Sequence, residues 1–510
     1  LVKWDAQSVL NNLNPHFGSS QYTAGSAAAT ARANLISTDG WTITDGGALI
    51  TSFDMTVRTT AANEAFTIPC QNVGTFNATV DWGDGSTSSI TTYNDSNLAH
   101  TYATAGDHAI SISGTFPNIY FAYTGDRSKV IAVTNLGQVG WQTFKSAFMG
   151  CSNMTSFNVG VTDTSSVTVM EEMFQSCNSL TSLDLSNLDT SSVTNMQRMI
   201  VCISLTSLDV SNFDTSSVIN MSHMFYACRD LISITGLNSF DTSSVTLMDN
   251  MFAQNEDITS LDLSSFDTSS VTNMYRMFYD CRVITSLDVS SFDTSSVTTM
   301  NSMFNRCYAC TSLDLSGFNT SSVTTMSSMF YNCRDLISIT GLNSFDTSSV
   351  EYMSAMFAQN EDITSLDVSN FDTSSVRFMD RMFSSCSSIT SLDVSGFNTS
   401  SVTNIRSMFF NCSSITSLDV SNWNTSSVYW MSSMFQFCNS LTDIVGVEDF
   451  DIEALDSTSR LTNFMTSVTL PTSRYDTLLI NWDAQDPFDG MTPHFGNSQY
   501  TAGGTAAAAR

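Results

Sequence analysis

A short string, Asp or Asn followed by Thr-Ser-Ser-Val, returns along the chain every 25 to 27 residues, and no other feature constrains the fold as much. Its valines are Val167, Val193, Val218, Val245, Val271, Val297, Val323, Val350, Val376, Val402 and Val428. Eleven copies run without a gap, which marks a repeat architecture rather than a set of ordinary domains. Each unit reads approximately LTSLDLSxFDTSSVTNMxxMFxxCxx. Leu183-Asp184-Leu185 alternates as a half-buried strand does, while Met196, Met199 and the next position keep the i, i+3, i+4 spacing of a helical turn. Each unit is therefore expected to be a short strand with a tight helical or extended return.

One such unit cannot bury its apolar side alone, whereas stacked copies set Leu on Leu, Met on Met and Phe on Phe. At about 4.8 Å per stacked strand, eleven coils would extend on the order of 50 Å. A higher-order echo is present as well. The variant CRDLISITGLNSFDTSSV begins at Cys228 and again at Cys333, 105 residues on, so four coils were duplicated as a block. Asn255 and Asn360 then stand where other units carry Cys.

Stacking turns each position into a row, and the rows decide which chemistry is open. Cys151, Cys177, Cys202, Cys228, Cys281, Cys307, Cys333, Cys386, Cys412 and Cys438 share one place in the unit. A line of thiols one coil apart offers no tetrahedron, so these read as buried apolar rungs, with disulfides between neighbouring rungs as the alternative. Cys307 and Cys310 form a lone C-x-x-C that reads as repeat drift. The 26 Met and 34 Phe, mostly in M-x-x-M-F, read as core.

Two acidic rows remain. Asp189, Asp214, Asp241, Asp267, Asp293, Asp346 and Asp372 precede Thr-Ser-Ser, but Asn319, Asn398 and Asn424 replace them. What is needed there is a side-chain oxygen that caps the following backbone N–H groups, not a charge. The other row is Asp184, Asp209, Asp262, Asp288, Asp314, Asp367, Asp393 and Asp419, each between inward Leu or Val, and no Asn substitutes within these Leu-Asp-Leu or Leu-Asp-Val segments. Carboxylates about 5 Å apart repel by roughly 1 kcal/mol even in a water-like dielectric. Bound divalent cations, Ca2+ first, would relieve that cost, so this row is the candidate metal site beside the alternative of a merely hydrated acidic face. No other cofactor is implied.

The MFxxCxxLTSLDLS core with its FDTSSVTNM turn resembles the BspA-type leucine-rich repeats of bacterial surface proteins over roughly residues 144 to 445. The resemblance implies a cell-surface or secreted protein associated with adhesion, and brings no catalytic residue with it. Upstream, residues 51 to about 120 alternate in short runs as a β-sandwich does. Asp81-Trp82-Gly83-Asp84-Gly85, His100-Thr101-Tyr102 and Gly106 resemble the signature of PKD-like immunoglobulin-type domains, which act mostly as spacers. Asp81 and Asp84 read as formers of a hairpin turn, with a calcium site as the alternative.

Residues 1 to 32 match residues 479 to 510 at a constant offset of 478, with 19 identities that include WDAQ, PHFG and SQYTAG. The N-terminal copy continues through Ala33-Asn34-Leu35-Ile36 to Trp41-Thr42-Ile43-Thr44-Asp45, a helix and a closing strand in pattern. A solenoid end needs a cap. The expected organisation is a cap element of a preceding unit over 1–48, a PKD-like sandwich over 49–125, a leucine-rich solenoid over 126–445, and a C-terminal cap over 446–510 that stops before its last strand. The chain then reads as an internal or processed piece, one period of a longer line whose units join covalently or by strand addition.

Composition narrows the partners. With 18 Lys and Arg against 48 Asp and Glu, the net charge of −30 excludes nucleic acid and anionic membrane, which need clustered cations. No run of eighteen apolar residues spans a bilayer. For an enzyme the search is empty: His16 and His494 belong to the duplicated PHFG, His100 to the sandwich signature, and His108 and His223 stand alone. The fold expectation is mostly β with short helical turns, about eleven 26-residue coils behind a sandwich. The functional expectation is a structural repeat unit of an extracellular bacterial fibre. The alternative is a surface adhesin that binds a host protein, a glycan or a neighbouring cell through the strand face.

Overall fold

A computed structural model describes residues 6, 11–18, 20, 22–23, 27–45, 48–49, 51–485 and 487–509. The chain forms two compact units, Leu1–Val193 with Leu208–Asp214, and Thr194–Ser207 with Thr215–Arg510.

In the first unit, β1 (Tyr22–Thr23) pairs in parallel with β2 (Ala48–Leu49) across the Ala-rich helix α1 (Ala27–Ser37). Leu35, Trp41 and Ile43 bury against one another, with Phe17 packed on them. The sandwich follows: β3 (Phe53–Thr59), β4 (Glu64–Thr67), β5 (Asn77–Asp81), β6 (Thr87–Ile90), β7 (Ala99–Tyr102) and β8 (Gly106–Thr115). Alternate residues of β3 (Phe53, Met55, Val57) and β8 (Ile110, Ile112) point into its core, as the period of two requires. β9 (Val130–Asn135) pairs antiparallel with β3 and parallel with β10 (Ser156–Phe157). The sandwich sheet therefore runs straight on into the first parallel rung, and its full order is β10-β9-β3-β8-β5-β6, with β4 and β7 paired separately.

The second unit is a stack of parallel coils of leucine-rich-repeat type. Nine parallel bridges join Asn195, Asn220, Leu247, Asn273, Thr299, Thr325, Tyr352, Phe378, Asn404 and Trp430 in sequence. On the Leu-Asp-Leu side, Ser312–Asp314 pairs with Ser338–Thr340 and Ser417–Asp419 with Asp443–Val445. The Phe of M-x-x-M-F builds a continuous pile: Phe252, Phe278, Phe304 and Phe330 stack with centroids 5.9, 5.7 and 5.7 Å apart and rings within 10° of parallel. Each is fully buried, as are the flanking Met274, Met277, Met300 and Met303. Burying a side chain of that size contributes about 1.5–3 kcal/mol, which a lone coil could not collect.

The return segment, expected to be tight helical or extended, is built of consecutive β-turns. Met277 N–H donates to the Met274 carbonyl at 3.2 Å and Cys281 N–H to the Phe278 carbonyl at 3.4 Å, which closes two successive β-turns. The third residue of each turn is left-handed, Arg276 at φ 54° and Asp280 at φ 62°, and the pattern repeats at Ser302 and Arg306, and at Ala355 and Gln359. A left-handed non-glycine residue costs about 1–2 kcal/mol. Here that conformation aims the N–H at the next coil: Arg276 donates to the Asn301 carbonyl at 3.1 Å and Asp280 to the Asn305 carbonyl at 2.8 Å.

The second unit ends on α2 (Thr472–Asp483), whose Tyr475, Leu478, Leu479 and Trp482 form one buried stripe, and on α3 (Thr505–Ala509). Among the described residues no helix is long and apolar enough to cross a membrane.

Candidate functional site

The outward carboxylates of the Leu-Asp-Leu segments do not reach for one another. Each folds back on the serine two residues later: the Asp288 carboxylate accepts from Ser290 N–H at 3.0 Å and its hydroxyl at 2.7 Å, Asp393 from Ser395 at 3.1 and 2.7 Å, and Asp419 from Ser421 at 3.0 and 2.6 Å. Asp262 and Asp367 do the same with Ser264 and Ser369. Asp184, Asp209 and Asp314 accept the N–H of Ser186, Ser211 and Ser316. These bonds hold Asp209, Asp262, Asp288, Asp314, Asp393 and Asp419 below the usual carboxylate range, with the serine hydroxyl leading, except at Asp314 where the Ser316 N–H leads. The charges of Asp288 on Asp314 and of Asp419 on Asp393 push the other way and lose. Among the described residues no three His, Cys, Asp or Glu side chains converge as a metal site.

The Asp or Asn of each Asp/Asn-Thr-Ser-Ser turn behaves as a capping oxygen. Asp267 and Asn398 accept from the N–H of Ser269 and Ser400 at 3.0 and 3.1 Å, with no difference made by the charge. The next residue, Thr, carries a function its sequence context did not reveal. Thr294 is fully buried, its hydroxyl donates to the Asn319 carbonyl at 2.8 Å and accepts the Asn319 N–H at 2.9 Å. Thr190, Thr242, Thr268, Thr320, Thr347, Thr373 and Thr399 donate across the same gap. The only sequence signal was that Thr, unlike the Asp before it, never varies among the eleven copies.

The cysteines are buried and free, with Cys70 half-buried. Cys281, Cys307 and Cys333 donate to the carbonyls of Phe252, Phe278 and Phe304, one coil back, at 3.2, 3.2 and 3.0 Å. Burial pushes the thiols of Cys228, Cys281, Cys386 and Cys438 up to about 12, which disfavours the thiolate. At the substituted rung Asn360 donates to the carbonyls of Phe330 and Phe357, both at 2.9 Å, and accepts the Cys333 N–H at 2.8 Å. The row thus needs a donor toward the backbone, which thiol and amide both supply.

In the sandwich the turn around Asp81 and Asp84 satisfies its own oxygens. Asp81 accepts the Gly83 N–H at 2.9 Å, while Asp84 accepts from Ser86 and pairs with His100 Nε2 at 2.7 Å. Gly83 sits at φ 78°, where a Cβ would lie 2.3 Å from the Ala109 carbonyl oxygen, so only glycine fits. Trp82 is buried against the His100 ring, and Tyr102 donates to the Trp82 carbonyl at 3.0 Å.

A cavity of about 610 Å³ lies in the C-terminal segment, lined by Leu461, Tyr475, Leu479, Trp482, Phe488 and Phe495 among others. Its Trp482 Nε1 is buried without an acceptor.

The model of a family described as "Mycoplasma protein of unknown function, DUF285" matches residues 142–233, 204–313, 287–338, 308–416 and 388–494. No curated protein matches the chain. Among solved structures, a leucine rich cell surface protein from Faecalibacterium prausnitzii A2-165 aligns over 72% of this chain and 87% of its own, at 15% identity and a TM-score of 0.31. The plant peptide hormone receptor RGFR1 in complex with RGF2 aligns over 72% and 78%, at 9% identity and a TM-score of 0.18. The mouse RP105/MD-1 complex aligns over 72% and 75%, at 12% and 0.17. Likenesses this loose identify neither a ligand nor a partner.

Proposed function

The chain belongs to the DUF285 family of proteins of unknown function, and from that premise we propose that it is a structural repeat unit of an extracellular bacterial fibre, joined to its neighbours head to tail. In this reading the eleven BspA-like coils supply length and stiffness, and the PKD-like sandwich is a spacer. The observation that carries it is the duplicated element, 19 identities at an offset of 478 residues, and a sequence repeated at that distance is what a line of joined units calls for. The side chains agree with a scaffold rather than an enzyme: the repeated polar rows are spent on bonds within and between coils. Electron microscopy of native material tests it. Filaments with a repeat of one unit are expected, and isolated particles at every concentration would sink it.

A second reading, an adhesin, is favoured by Ile232 and Ile337, which occupy the same place in the two duplicated blocks and are 51% and 53% exposed. Replacing both with Asp would abolish binding to a host protein, glycan or cell, and leave filaments intact. The carboxylate row remains a proposed weak divalent-cation stripe. Equal melting temperatures in EDTA and in excess calcium would remove it.

A further inference from the structure

On the return side of the coils a trough of about 560 Å³ crosses four successive units, a size that suits a small ligand. Tyr331 closes one end and Phe410 the other. They hold the same place in coils three apart, roughly 15 Å at about 4.8 Å per coil. Between them that place is taken by Ala358 and Ser384, whose small side chains leave the floor open.

The polar side chains around this trough are unspent. Ser384 and Ser407 are only 8% and 9% exposed, yet neither hydroxyl has a hydrogen-bond partner among the described residues, and neither is sealed from the trough it lines. Gln359, Ser385 and the exposed Arg381 also line it without a side-chain hydrogen bond or ion pair among the described residues. Elsewhere the repeated Thr and Asp of the coils bond within the chain. The backbone of the trough, by contrast, is engaged. The N–H groups of Ala355, Gln359, Arg381 and Ser385 donate to the Asp380, Ser384, Arg406 and Phe410 carbonyls of the next coil at 2.8, 2.7, 2.9 and 2.6 Å. A peptide finds no strand edge to extend there, so a ligand must be held by side chains.

The other duplicated block supplies a comparison within the molecule. At the offset of 105 residues, Tyr226, Ala253, Gln254, Arg276 and Ser302 match Tyr331, Ala358, Gln359, Arg381 and Ser407. The remaining places differ: His223, Asn250, Tyr279 and Asp280 stand for the smaller Ser328, Ala355, Ser384 and Ser385, and Asn305 for Phe410. In that block the Arg276 guanidinium lies over the Tyr275 and Tyr279 rings, 4.9 and 4.8 Å from their centroids, and Asp280 pairs with Arg282 at 3.0 Å. The second block has therefore emptied the middle, freed the arginine, removed a carboxylate beside it and set a ring at the far end.

We propose that this trough binds a short oligosaccharide that carries a carboxylate. Arg381 takes the carboxylate through paired N–H donors. Ser384, Ser385, Ser407 and Gln359 match sugar hydroxyls, which donate and accept as they do. Tyr331 and Phe410 pack their rings against the apolar C–H edges of the sugar. One arginine in a chain of net charge −30 suits a single carboxylate rather than a polyanion. The inference goes beyond both readings above, since it concerns neither the ends of the unit nor the Leu-Asp-Leu face.

Saturation-transfer NMR on the full chain with sialyllactose, digalacturonate and lactose, each at millimolar concentration, tests it. Transfer to an acidic sugar is expected, with an affinity roughly tenfold or more above that of lactose, as one charge-assisted pair supplies. Binding of either acidic sugar supports the proposal, and the tighter one names the sugar class. Arg381→Gln, a change at an exposed position, should bring the acidic sugar down to the level of lactose. Ser384→Tyr installs the side chain that the other block accommodates, and should abolish binding with the melting temperature unchanged. Should that variant not fold, Phe410→Asn, again the other block's residue, should weaken every sugar alike. No transfer to either acidic sugar overturns the proposal, and so does an affinity that Arg381→Gln leaves unchanged. Displacement of the sugar by an equal concentration of triglutamate overturns the assignment to a saccharide.

Discussion

A buried threonine hydroxyl that donates to a carbonyl and accepts the N–H of the same peptide neighbour is a polar group with no slack. Thr294→Val keeps the shape and strands both groups of Asn319. The expected loss is about 1–3 kcal/mol in urea unfolding. Thr298→Val, in the same coil but exposed, removes a bond of 3.1 Å to the Thr272 carbonyl that water can replace, and should change stability by less than about 0.5 kcal/mol. Equal effects would show that the buried row contributes no more than the exposed one. The thiol row makes a kinetic prediction. Because burial holds the ladder cysteines protonated, an aromatic disulfide reagent at mildly alkaline pH should leave them unmodified in the folded chain and titrate all 12 cysteines once it is unfolded. Prompt labelling of the folded ladder would contradict their placement.

At the scale of the element, the return segment trades local strain for bonds between coils. Ala355 is left-handed at φ 54°, and its N–H donates to the Asp380 carbonyl at 2.8 Å. Ala355→Gly should stabilise by a few tenths to about 1 kcal/mol, the relieved strain exceeding the extra chain entropy of glycine. Ala358→Gly, buried and without that strain, should destabilise. The Asp84 hairpin predicts a pH response. Ser86, then His100, holds the Asp84 carboxyl down to about 2, below an unfolded value of about 3.9. Its contribution is complete above that unfolded value and is lost as pH falls toward 2. Exchange of the Ser86 amide should accelerate over that window in the native chain and not in Asp84→Asn. These elements also show what the sequence could tell. The strand letters and inward rows were legible because each position is sampled eleven times. The return was not, since i, i+3, i+4 spacing puts side chains on one face of a helix and of consecutive β-turns alike, and Arg276, Ser302 and Ala355 carry no glycine to announce left-handed backbone.

For the whole molecule, a net charge of −30 borne by so few charged residues makes salt a stabiliser. Melting temperature at neutral pH should rise with sodium chloride, and a larger rise with calcium at matched ionic strength is what a cation stripe requires. Coil length carries a further message. Gly236, Gly341 and Gly446 are left-handed at 89°, 89° and 88°, each ahead of a three-residue 3₁₀ turn, and they recur at intervals of 105 residues. The third of these went unseen in the sequence, because around it only Cys438, Leu441, Ile444, Gly446, Phe450 and Asp451 persist. Removing Phe240–Ser344 would join Ser239 to Phe345 and recreate Gly-Leu-Asn-Ser-Phe-Asp-Thr without a seam. The shortened chain should unfold with the same cooperativity, whereas a cut that also removes the buried Phe345 should be less stable. Unequal recombination between such near-identical stretches can therefore lengthen or shorten the gene in whole blocks that keep the coils in register, so populations of the source organism should carry size alleles that differ by multiples of this one increment.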